Sequence, residues 1–496
     1  MGLVKKQAYK NTITAYAGMV VAYINTVLLF PPIIGDEKYG FYNLIISISV
    51  LYSLIASMGV PSILAKFFPF YRTEDRTHNG LLHWAAGLSL LGFISATVLY
   101  VLFKPLIVST YAVNSPLFVQ YYYYLIPLAF FVIAFNFLEM SGRIVYKTIY
   151  SNILQTVVLR LITTGLLLMI AAGWIDFNDF VLLYIGSNGL ISLLLLISLI
   201  ASGNYSYRLR DKRFKGIKKK EILSFGMFTL VSSAVYVLLQ KVDTLMLSAM
   251  SGDAVQGVYT WYFNIAMVIS VPAQALSRTT YAIVADSWKS KNMENIAEVY
   301  SKTSIVQMLA GCLLFIGIFI NKDNLFAIAN NKDFTDPKYF NVFLVIGLGF
   351  LFDITGGLNT YIISTSHKYR LMTLFVVVAS IFCISLNYLL IPIYKGLGAA
   401  ISYMLTIALL NLGSWFYIKY RFKMQPFTSK HLLVIIIATA SYFAGHYVPK
   451  MSNVFLDISL RSAITTAVYG LLTYNFKISE DVNDKIDKTL AKVLKK

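Results

Sequence analysis

Apolar residues along this chain gather into blocks of about 20, long enough to cross a hydrocarbon core of about 30 Å as helices. Short polar segments separate the blocks, and none shows the residue-by-residue alternation of a barrel strand. The pattern predicts fourteen spanning helices, near 12–34, 41–61, 81–103, 118–140, 151–172, 178–201, 222–247, 256–284, 303–320, 340–365, 371–391, 396–418, 431–448 and 456–476. The first block is too long for a signal-peptide core and lacks a small-residue cleavage site, so it reads as a retained helix. Composition agrees: of 496 residues 57% are hydrophobic and 13% charged, too little charge to cover a water-facing surface. The fold class expected is therefore an all-α, multi-pass membrane protein.

Charge orients the spans. With the N-terminus taken as cytoplasmic, 31 of the 42 Lys and Arg fall in inside segments, 7 in outside loops and 4 within spans. That imbalance follows the positive-inside rule and places both termini in the cytoplasm, with the cytoplasmic (inner) membrane as the location. The net charge of +19 is thereby explained without a nucleic-acid partner. The densest basic run, Tyr207 to Lys220, is expected to be a cytoplasmic loop that touches anionic membrane lipids. "QYYYYLIP", Gln120 to Pro127, reads as an interfacial aromatic belt. Two isolated cysteines, Cys312 and Cys383, have no ligand spacing around them and are expected to be inert packing residues, with no metal site.

The chain also repeats itself. "GDEKYGFY" (Gly35 to Tyr42) and "GDAVQGVY" (Gly252 to Tyr259) share G-D-x-x-x-G-x-Y at an offset of 217 residues. "FLEMSG" (Phe137 to Gly142) and "LFDITG" (Leu351 to Gly356) match at an offset of 214. The expected plan is two six-helix lobes, 1–203 and 222–420, joined by a basic connector at 204–221. Transmembrane helices 13 and 14 follow at 421–476, then a charged tail at 477–496. Six spans per repeat is even, so both lobes would enter the membrane in the same sense, as in transporters built from parallel repeats.

Two stretches carry a family resemblance. Ser224 to Leu276 holds an Asp near the end of the seventh span, a Gly-bearing turn, G-x-Y and a proline in the eighth. Ile55 to Asp75 ends the second span with a glycine and then a basic residue, Gly59 and Lys66. In these the chain resembles the polysaccharide-transporter branch of the multidrug/oligosaccharidyl-lipid/polysaccharide exporter superfamily. The resemblance implies a flippase for lipid-linked oligosaccharides, such as O-antigen, capsule or exopolysaccharide units on undecaprenyl pyrophosphate. It further implies alternating access by two rocking lobes and a cationic central cavity for the pyrophosphate. Other polysaccharide-assembly proteins are the partners it suggests beyond substrate and lipid.

A pyrophosphate inside a bilayer needs cations, and arginine offers a donor fork suited to phosphate oxygens. Arg160 lies about 13 Å into its span at 1.5 Å per residue, near the midplane. It is expected to face either the cavity or a carboxylate. Arg278, Lys66 and Lys241 are the other pyrophosphate candidates, each with snorkelling to the interface as the structural alternative. Arg461 reads as a snorkelling anchor. Glu139 and Asp353 occupy matching places in the repeat, where pairing with an intramembrane Arg or Lys, or Na⁺ or H⁺ coupling, would suit a carboxylate. Asp243 stands two residues from Lys241, a spacing that turns the two side chains apart on a helix, so it is expected to fix its helix end as a gating contact. Asn25 and Asn264 are the sugar-contact candidates, with helix packing as the alternative. No cofactor is expected.

The rival readings are a multidrug exporter or a lipid II flippase of the same superfamily. A membrane polymerase or ligase is disfavoured: the longest external loop is short, and no D-x-D occurs in the chain.

Overall fold

The computed structural model describes residues 14–73, 78–145, 148–202, 219–368, 370–484 and 487. Residues 204–218 of the basic connector and most of the C-terminal tail lie outside them. Among the described residues the chain is helical with no strand, and twelve helices are long and apolar enough to span a membrane. The first of these, α1 (Thr14–Ala56), is 43 residues long and holds the first two expected spans. It bends at Gly35, whose φ of 78° is open to glycine and strained for other residues. The turn expected between those spans is therefore one glycine wide, and the rest of the motif is already helical. The thirteenth expected span is an eighteen-residue helix, Ser429–His446, so each of the fourteen apolar blocks is met by helix.

Glycine and proline divide the remaining spans. Met58 and Gly59 take positive φ and separate α1 from α2 (Val60–Tyr71). Then come α3 (Leu81–Leu102), α4 (Lys104–Tyr111), α5 (Leu125–Ile144), α6 (Leu159–Ala171) and α7 (Phe177–Ala201). Next, α8 (Lys219–Ser251) ends at Gly252, φ 97°, and α9 (Asp253–Met267) begins directly after it. The eighth span continues through a short 3-10 turn into α10 (Val271–Lys289), which has Pro272 in its first turn, where a missing N–H does no harm. Further along come α11 (Met293–Ile320), α12 (Phe340–Thr355), the short α13 (Asn359–Thr365), α14 (Arg370–Tyr394), α15 (Gly396–Phe422), α16 (Ser429–His446) and α17 (Val454–Asn475).

Two compact units emerge, Met1–Gly257 and Val258–Lys496. This is a different division from the repeat, which groups the seventh span with residues 222–420. In packing, α8 lies along α1 and α2, and Gly59 meets the backbone of Gly226 so closely that a Cβ at Gly59 would overlap the Gly226 carbonyl. The first unit's core includes Val60, Ile63, Leu64, Leu81 and Ile222. The second unit has one core around Met308, Cys312 and Val434, and another around Tyr300, Ile362 and Ile418. Cys312 and Cys383 are buried, unbridged thiols, as expected of packing residues.

The tyrosine run departs from a simple interfacial belt. Tyr121 and Tyr122 are buried, while Tyr123 is exposed. A short helix, Pro116–Gln120, and a 3-10 turn swing the run inward, so that Tyr122 stacks on Tyr100 at 4.2 Å. Each hydroxyl donates to the other residue's backbone carbonyl, Tyr122 to Tyr100 at 2.6 Å and Tyr100 to Tyr122 at 3.0 Å. A buried tyrosine needs such a partner for its hydroxyl, and here the pair supplies it reciprocally.

Candidate functional site

In the first unit, the midplane arginine and one sugar-contact candidate come together. A π-helical segment, Ile24–Leu29, sits in the first span, and a second, Leu154–Val158, runs directly into α6. Such widened turns in helices recur at functional sites. Asn25, buried in the first segment, donates from Nδ2 to the carbonyl of Arg160 at 2.9 Å. Thr164, one turn beyond Arg160, approaches the Asn25 Oδ1 at 2.7 Å and the Arg160 carbonyl at 2.9 Å with its hydroxyl. The Arg160 guanidinium itself donates to the carbonyl of Gly18. Gly18 lies against Thr156 so tightly that a Cβ there would overlap the Thr156 carbonyl, which is what brings the first span within the arginine's reach. Among the described residues no carboxylate stands within ion-pair distance of Arg160, and the ionisable side chains acting on it are the phenols of Tyr42 and Tyr184. Both ends of the Asn25 amide are engaged within the protein, so its role in this arrangement is to hold the arginine's backbone.

The other cations are dispersed. Lys66 is exposed on α2, with its ammonium 3.9 Å from the ring centre of Phe225 and 5.2 Å from that of Phe67, the cation–π geometry of a long side chain lying over aromatics. Lys241 is half-buried and Asp243 buried on α8. Arg278 falls on α10, and its side chain lies outside the described residues. In the second unit an open cleft of about 430 Å³ is lined by Pro272, Leu276, Val306 and Gln307. Asn264 is half-buried on α9.

The repeat-matched acids have diverged in their partners. Glu139 forms an ion pair with Arg143 one turn along the same helix, at 2.5 Å, half-exposed near the end of α5. The position matching Arg143 in the second repeat is Gly357. Asp353 instead accepts from the Nδ2 of Asn411 at 2.8 Å. Asn359 donates to the Asn411 Oδ1 at 3.2 Å, and the buried Tyr300 hydroxyl donates to Asn359. A second strand of this network runs from Ser304 to the Thr355 carbonyl at 2.6 Å and to the Nε2 of His431 at 2.9 Å. Of the two roles expected for these acids, pairing with an Arg or Lys is met at Glu139, by Arg143 just past the span, and not at Asp353: with glycine at the matching place, Asn411 on α15 holds the carboxylate and is itself held by Asn359 on α13. Asn359, Asn411 and Tyr300 were not singled out in the sequence, where a polar side chain inside an apolar block is ordinarily packing glue.

Arg461 also departs from expectation. It is buried, not snorkelling, with its Nε 2.6 Å from Asp457 Oδ2 and its guanidinium donating to the Gly445 carbonyl at 3.2 Å. Asp457 further accepts from Asn324 at 2.6 Å and from the Met451 backbone at 2.9 Å. The reason is local: α16 ends beside it, and its terminal carbonyls attract the cation.

The duplicated motif supplies a group that sequence reasoning passed over. Asp253 is 1% exposed, with Oδ2 accepting from Ser115 at 2.5 Å and its backbone N–H donating to the Asn114 carbonyl at 3.3 Å. Asn114 also donates to the Ala249 carbonyl at 2.7 Å, and Tyr111 to that of Leu245 at 3.3 Å. Burial and the nearby Asp253 push the Tyr111 phenol up to about 12, so it stays protonated and available as a donor. The signal for Asp253 was the repeat itself.

The comparisons with known proteins agree with this architecture. The family described as "Polysaccharide biosynthesis protein" matches residues 6–281, and the MatE family matches residues 229–389. An uncharacterized membrane protein of Methanocaldococcus jannaschii is 20% identical over 95% of this chain and 96% of its own. The solved structure of the lipid II flippase MurJ in an inward closed conformation superposes with a TM-score of 0.74 at 14% identity, covering 94% of this chain and 98% of its own. An inward-facing multidrug resistance MATE family transporter of the MOP superfamily gives a TM-score of 0.64 at 13% identity, covering 82% and 94%. With its membrane-spanning helices, its intramembrane polar clusters and a family match over more than half its length, this chain belongs to the polysaccharide biosynthesis protein family, within the multidrug/oligosaccharidyl-lipid/polysaccharide exporter superfamily.

Proposed function

We propose that this protein is a flippase that moves a polyprenyl-pyrophosphate-linked oligosaccharide across the cytoplasmic membrane by alternating access, with both termini in the cytoplasm. The observation that carries the reading is Arg160. An arginine at the centre of a membrane helix costs about 2.5–3.5 kcal/mol on insertion scales. Here its neighbours are a carbonyl, an amide and phenols, with no carboxylate paired to it among the described residues. Its charge stays available to an anion, which suits a pyrophosphate and repels the cationic compounds that a drug exporter would carry. The family match to polysaccharide biosynthesis supports a sugar-bearing lipid. Lys66 and Arg278 are the candidates for first capture of the headgroup at the cytoplasmic side.

A second reading keeps the same chemistry: the fold likeness to a lipid II flippase over nearly the whole chain supports a polyprenyl-pyrophosphate substrate with a cell-wall sugar. Proteoliposomes loaded separately with fluorescent undecaprenyl-pyrophosphate oligosaccharide, lipid II and a cationic dye decide among the readings. Flipping of the oligosaccharide, lost in Arg160→Ala, is the expected result. Transport of the dye alone would overturn the proposal, and transport of lipid II alone would move it to the second reading.

A further inference from the structure

The two copies of the duplicated motif pack on each other reciprocally. Gly40, the second glycine of the first motif, lies against Asp253, the aspartate of the second; a Cβ on Gly40 would overlap the Asp253 carbonyl oxygen. Gly257, the second glycine of the second motif, lies against Asp36, the aspartate of the first; a Cβ on Gly257 would overlap the Asp36 carbonyl and stand 3.0 Å from the Gly40 backbone nitrogen. Both glycines are helical, so it is closeness and not backbone freedom that demands them. Each motif begins at a glycine with positive φ, Gly35 at 78° and Gly252 at 97°, which gives each helix a bend just ahead of the contact. Asp253 is then held from the side by Ser115.

From this geometry we infer that the Gly40–Asp253 and Gly257–Asp36 contact is a releasable closure of the transport path at that end of the spans. The inference rests on the transport reading above. At each glycine the nearest atoms are backbone carbonyls of the other motif, with the Gln256 Oε1 the one side-chain atom close to Gly40, so few side chains interlock across the contact and little has to be dragged past when it parts. The glycines at positive φ that begin each motif are the places that absorb the change in direction. The closed joint buries Asp253, Ser115 and Ser248, each about 1% exposed or less. Parting it would wet them. Each substitution that inserts a methyl group between the motifs should shift the protein toward the parted state.

The test uses the full chain with Cys312→Ala and Cys383→Ala, and Ser248→Cys as the reporter. Its reaction with a membrane-impermeant methanethiosulfonate is followed in proteoliposomes, which requires no substrate. Gly40→Ala and Gly257→Ala are each expected to raise the labelling rate about ten-fold, the size of a modest population shift. Ser115→Ala, which adds no bulk, is expected to raise it by a smaller factor and serves if either alanine variant fails to fold. Unchanged labelling in folded Gly40→Ala, Gly257→Ala and Ser115→Ala proteins would overturn the closure. So would oligosaccharide flipping at the wild-type rate by Gly40→Ala. If labelling rises as expected but the unmodified protein flips no lipid, the closure stands and the transport reading is the part that has failed.

Discussion

Arg461 and Asp457 form an ion pair with 2.6 Å between Nε and Oδ2, one helical turn apart on the last span, and both are buried. The aspartate is also fastened to Asn324 and to the Met451 backbone, while the arginine reaches the Gly445 and His446 carbonyls at the end of α16. The pair therefore ties α17 to α16 and to the short helix Lys322–Ala329. Removing one partner of such a pair leaves the other charge buried, a loss of about 3–5 kcal/mol. Arg461→Ala should lower the melting temperature in detergent well below that of a surface control such as Lys450→Ala. Equal melting of the two variants would show that the pair holds nothing together.

At Arg160 charge and shape can be separated. Arg160→Lys keeps the charge but loses the planar donor fork. It should retain part of the flipping rate where Arg160→Ala loses nearly all. Asn25→Ala keeps the guanidinium and frees the Arg160 backbone from the amide. It should weaken lipid binding, with the loss not adding to that of Arg160→Ala in the double variant, because the two residues act through one side chain.

The Asp353 network makes the opposite kind of claim. Asn411 is buried and holds Asp353 while receiving Asn359. Asn411→Ala should destabilise the second unit by about 1–3 kcal/mol through polar groups left without partners. Asp353→Asn, which keeps an oxygen where Asn411 donates, should melt near the wild-type temperature and still flip lipid. Loss of flipping with unchanged melting in Asp353→Asn would instead mark Asp353 as an ion-coupling group.

For the Tyr100–Tyr122 stack, Tyr122→Phe removes one of the reciprocal hydrogen bonds but keeps the ring contact. The expected loss is about 0.5–1.5 kcal/mol. Tyr123→Phe, on the exposed neighbour, should change the melting temperature little. A larger effect at Tyr123 would mean that the interface, and not the stack, is what the run serves.

The run of apolar blocks alone determined that this chain spans a membrane as helices, because a bilayer admits few other solutions for a buried backbone. The offset motifs pointed to a duplication, and they marked Gly35, Gly40, Gly252 and Gly257 before any contact was known. What the linear pattern left undecided was which polar side chain meets which. Arg461 looked like an anchor by its distance from the end of a span, yet the terminus of α16 and Asp457 draw it inward. Glu139 and Asp353 occupy equivalent places in the repeat, yet one lies a turn from an arginine and the other a turn from Gly357, so only packing could supply Asn411 to the second. The carbonyls of Asp36 and Asp253 become functional only when a glycine of the other motif stands against them. Periodicity is a property of neighbours along the chain. Apart from the pairs one helical turn apart, these partners are far apart along the chain, and their meeting was decided by how closely the helices that carry them approach.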